Sequence, residues 1–68
     1  MQVLMNKGYL AVKLATLNEF EKSIFENMVF PDSIVIVEKT DCMIFNGSTA
    51  VLYNLLYDFS THFDVELI

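Results

Sequence analysis

The chain contains no arginine and no tryptophan, and only one histidine, one cysteine and one proline. Each shortage removes a class of chemistry. All the basic charge rests on Lys7, Lys13, Lys22 and Lys39, so the planar guanidinium fork that grips phosphate and carboxylate groups is missing. Cys42 stands alone and cannot close an intramolecular disulfide, so nothing points to an oxidising compartment. No run approaches the roughly 18 apolar residues of a membrane span. Gly8 to Leu17 is apolar, but Lys13 interrupts it, and reading it as a signal peptide would remove a strand from an already minimal chain. Asn46-Gly47-Ser48 matches a glycosylation acceptor and reads better as a turn. The expectation is a cytoplasmic protein with no membrane association.

What is abundant is apolar surface. Residues 1–68 are expected to form a single small α+β domain, yet 54% of them are hydrophobic. That is high for a size at which much of the chain must face water. The surplus calls for burial against a second copy or a partner protein. Nine acids against four lysines leave a formal charge of −5. This sign opposes nucleic acid, which is held largely by cations neutralising phosphate, and favours a basic protein partner.

The apolar period alternates between strand and helix spacing. Val3-Leu4-Met5 and Tyr9 to Leu14 flank Asn6-Lys7-Gly8, which suits a hairpin with a three-residue loop and a glycine bulge, giving an extra N-terminal strand; the alternative is a frayed lead-in that pairs with nothing. Thr16-Leu17-Asn18-Glu19 fits a capping box opening a helix over 17–29, with Leu17, Phe20, Ile24 and Met28 as its core stripe and Phe25 widening it. Phe30-Pro31-Asp32 ends it. The β-branched run Ile34-Val35-Ile36-Val37 predicts a central strand covered on both faces, and Cys42 to Phe45 its hairpin partner. Ser48 or Thr49 caps a second helix carrying Leu52, Leu55, Leu56 and Phe59 inward. Phe63 to Ile68 alternates again as a last strand.

From Tyr9 onward this βαββαβ order looks like the ferredoxin-like plait, an antiparallel sheet with two helices on one face. The resemblance is one of topology, and several activities found on that fold lack their residues here. There is no arginine cradle of the acylphosphatase kind, and Leu14 to Leu17 has no Cys-x-x-Cys metal loop. RNA-recognition aromatics would have only Tyr9 and Phe45, with little basic company beyond Lys13.

Site candidates remain weak as chemistry. His62, Asp64 and Glu66 would share one face if the last strand began at His62, but a solvated strand face explains them better than metal binding. Cys42 and His62 have no spacing that implies a thiolate–imidazole pair. No catalytic residue, metal or cofactor is expected. Interaction candidates are clearer. Tyr9, Ala11, Val35, Val37 and Phe45 would form an apolar face of the sheet, with Tyr53 and Tyr57 as further aromatic anchors. Glu19, Glu21, Glu26, Asp32 and Glu38 would present acid to a basic partner. The expected function is a small acidic, non-enzymatic protein-interaction module that binds itself or another protein. By composition it is similar to phage or mobile-element accessory proteins that bind and inhibit a host factor. The competing reading is a plait-type ligand-sensing regulatory domain that dimerises around a small molecule, although no glycine-rich ligand loop is evident.

Overall fold

A computed structural model describes all residues, 1–68. The chain is α+β: strands β1 (Gln2–Asn6) and β2 (Tyr9–Lys13), helix α1 (Glu19–Glu26), strands β3 (Val35–Glu38) and β4 (Cys42–Asn46), helix α2 (Thr49–His62) and strand β5 (Glu66–Leu67). The five strands form one sheet in the order β3-β4-β2-β1-β5. All neighbours are antiparallel except β1 and β5, which run parallel.

A four-stranded plait would lay the last strand directly against the one beginning at Tyr9. Here β1 occupies that place, and β5 shrinks to a two-residue edge. The wedge is held from several sides. Val3 is completely buried, the Gln2 N–H donates to Thr16 Oγ1 at 2.8 Å, and the Glu66 N–H donates to the Met1 carbonyl at 2.8 Å. The β1–β2 loop is also tighter than the sequence suggests. Asn6 pairs with Tyr9, leaving a two-residue turn in which Gly8 takes φ of 90°, a conformation that penalises any side chain.

Helix α1 starts two residues later than the threonine cap implies. Thr16 is drawn into tertiary contact, accepting from Gln2 and donating to the Lys13 carbonyl at 2.6 Å. Leu14–Thr16 therefore form a 3-10 turn, and Asn18 caps α1 instead. Asn18 and Glu21 exchange the two bonds of a capping box, at 2.8 and 3.0 Å. Phe25 is the buried residue of this helix. Phe20 lies about 140° around the axis from it and is 73% exposed, outside the expected stripe. In α2 the Ser48 hydroxyl accepts from the Val51 N–H, and Leu52, Leu55 and Phe59 are buried at the anticipated spacing.

Strand β3 departs most from expectation. Its β-branched run makes a strand, but at the sheet edge, with every one of its residues exposed. Ile34, just before it, is the member of the run that reaches the core. The last strand is shorter than the expected Phe63 to Ile68: Phe63 caps α2, its N–H donating to the Phe59 carbonyl, and strand pairing covers only Glu66 and Leu67.

Both helices pack on one side of the sheet, where Val3, Leu10, Val12 and Phe45 meet Phe25, Leu52, Leu55 and Phe59. No buried residue is polar or charged. Leu52→Ala or Leu55→Ala should lower unfolding free energy by about 2–5 kcal/mol, as for other buried leucines. Phe20→Ser, on the exposed flank of α1, should change it by less than about 0.5 kcal/mol. Urea unfolding of the three variants checks both statements.

Candidate functional site: the open face of the sheet

Strand alternation sends one set of side chains to the helices and leaves the other on an uncovered face. The register aligns that second set. Leu4 pairs with Ala11, Ala11 with Ile44, and Ile44 with Val37, so four apolar side chains form a continuous row across four strands. Beside it runs a second row in which Tyr9 faces Asn46 and Asn46 faces Val35, with Asn6 next to Tyr9. Leu4 is 39% exposed and Val37 41%, while Tyr9, Ala11 and Ile44 are half-buried by their neighbours in the sheet.

Charge is nearly absent from this face. Following the register, Lys13 and Glu66 are the only ionic strand residues on it, one of each sign, and Gln2 Nε2 reaches Glu66 Oε1 at 3.3 Å. The rest of the acid lies on helices, on connecting segments, or, for Glu38, on the helix-facing side of β3 opposite Met43.

The structure sorts the sequence candidates accordingly. The register places Tyr9, Ala11, Val35 and Val37 together on the open face. Phe45 is not among them: it points the other way and has no exposure, because its ring is needed between sheet and helices. Tyr53 and Tyr57 are exposed, but on α2, across the sheet from Tyr9. Leu4 and Ile44 complete the apolar row and were not singled out from the sequence. Leu4 lay in a segment whose pairing was open, and Ile44 could be assigned a face only once Phe45 was known to point inward.

The acids also separate. Glu19 and Glu21 occupy the first turn of α1, where the helix dipole favours them, and Glu21 is committed to the capping box. Asp32 is exposed in the connection before β3, while Glu26 and Glu38 end their own elements.

His62 ends α2, Asp64 lies in the connection and Glu66 lies in β5, so the three do not share a strand face. No group of three potential ligands is placed to hold a metal ion. Cys42 is on β4 with the open-face set, whereas His62 belongs to the helix layer on the other side. No helix is long and apolar enough to cross a membrane. No family model matches the chain, and neither a curated protein nor a solved structure matches it.

Added zinc or manganese should leave the melting temperature unchanged in the wild type and in His62→Ala alike. A saturable rise in the wild type that the substitution abolishes would show that these side chains assemble a metal site.

Proposed function

We propose that the chain is a small, acidic, non-enzymatic interaction module, and that its open sheet face docks against a second copy of itself. The observation that carries this reading is charge segregation. A protein with a net charge of −5 keeps one broad face almost free of charge, with the row Leu4–Ala11–Ile44–Val37 at its centre. Solvation alone gives no reason for such a face, whereas burial does.

The energetics agree. Covering apolar surface yields about 25 cal/mol per Å², and several side chains on a shared face offset part of the cost of association. Two copies packed face to face would bring near-neutral surfaces together and keep their acidic helices on the two outer sides. Sheets stack in this way about 10 Å apart, with side chains interdigitating. The lone Lys13 and Glu66 supply opposite charges that a two-fold arrangement can use for register.

Sedimentation of the purified chain should show self-association at micromolar concentration. Leu4→Lys and Val37→Lys, both at already exposed positions, should each weaken association roughly tenfold or more while leaving the circular dichroism spectrum intact. A wild type that stays monomeric across concentrations and binds no apolar dye would overturn the proposal.

A further inference from the structure

On the helix side of the sheet, an open groove of about 480 Å³ runs between α1 and the β3–β4 turn. Its apolar lining comes from Leu14, Leu17, Phe25 and Met43. Its rim carries Glu26 from the end of α1, Glu38 from the end of β3 and Asp41 from the turn, with Lys22 as the one cation. Lys22 is directed to Glu19, at 3.5 Å, in the only ion pair of the structure. Three carboxylates from three separate elements thus surround an apolar groove without a partner.

Folding gains little from that arrangement. Glu26 lies in the last turn of α1, where the negative end of the helix dipole disfavours a carboxylate, and no basic residue stands there to offset it. Glu38 takes a helix-facing position in β3, opposite Met43, where the strand pattern would place an apolar side chain. A metal ion does not fit, since the acids do not converge as a ligand set. The complementary occupant is cationic and apolar together.

We propose that this groove binds a cationic amphipathic peptide segment of a partner protein, seating a leucine-sized side chain on the apolar lining and lysine or arginine against Glu26, Glu38 and Asp41. The site is distinct from the open sheet face and stays accessible when that face is covered, so it does not depend on self-association.

The probe is a short fluorescein-labelled peptide of lysine and leucine at helical amphipathic spacing, titrated into the full chain at low and moderate salt. Binding should be saturable and weaken with salt, and a lysine–glycine peptide of equal charge should bind much more weakly. The triple variant Glu26→Gln, Glu38→Gln, Asp41→Asn should lose affinity roughly tenfold or more and melt no lower than the wild type. The variant Asn54→Lys, Asp58→Asn, Asp64→Asn, at exposed positions outside the groove and with the same change in net charge, should bind within about twofold of the wild type. Amide resonances of Leu14, Leu17, Glu38 and Met43 should shift on binding. The proposal is overturned by equal losses in the two triple variants, by absence of saturable binding, by marked thermal destabilisation of the groove variant, or by shifts confined to Leu4, Ala11 and Ile44. That last outcome would place the peptide on the open face instead.

Discussion

Phe45, the next-to-last residue of β4, has its ring against both helices and the segment that joins α1 to β3. Its centroid lies 4.9 Å from Phe30, 5.7 Å from Phe59 and 6.3 Å from Phe25, in tilted or edge-on geometries that suit aromatic quadrupoles. Phe63 closes the group against Phe25 and Phe59, at 6.4 and 6.1 Å. A chain of this length has little core to spare, and it has neither a disulfide nor a metal-ligand set to supplement it. Five phenylalanines from both helices, β4 and two connecting segments therefore do the work of a larger interior. The direction of Phe45 also decides the direction of every other side chain on β4, and through the register those on β2 and β3.

Packing both helices on the Phe45 side leaves the other side of a five-stranded sheet uncovered. The cover on the helix side is itself short, since α1 spans only eight residues. Ile36 shows the result: it faces the helix side from β3 and is still 41% exposed. The same shortfall leaves the groove beside the β3–β4 turn. The two proposed surfaces thus have one origin, a helix layer smaller than the sheet beneath it. They differ in electrostatic character because the acid is concentrated on the helix side.

Local chemistry was readable wherever neighbouring residues settle the matter. The α2 stripe of Leu52, Leu55 and Phe59, a cap at Ser48 or Thr49, the presence though not the length of the turn at Gly8, and a strand over Cys42 to Phe45 all follow from spacing or from backbone preference. The cap of α1 shows where such reading stops. Thr16-x-x-Glu19 and Asn18-x-x-Glu21 are both competent capping boxes, and the choice between them fell to a distant contact, the Gln2 N–H bonding Thr16.

The sequence by itself determined the α+β composition, the number and type of most elements, the apolar excess and the acidic charge, because these depend on residue identity and short-range periodicity. Tertiary structure alone decided three further matters. It set β1 between β2 and β5, put the β-branched strand β3 at an edge, and turned Phe45 inward while Tyr9, Ala11, Val35 and Val37 faced out. An apolar alternation is the same whichever face is covered, and a β-branched run is the same with one neighbour or two. Which strands meet, and on which side the helices settle, depends on hydrogen-bond ladders and ring contacts between residues far apart in the chain.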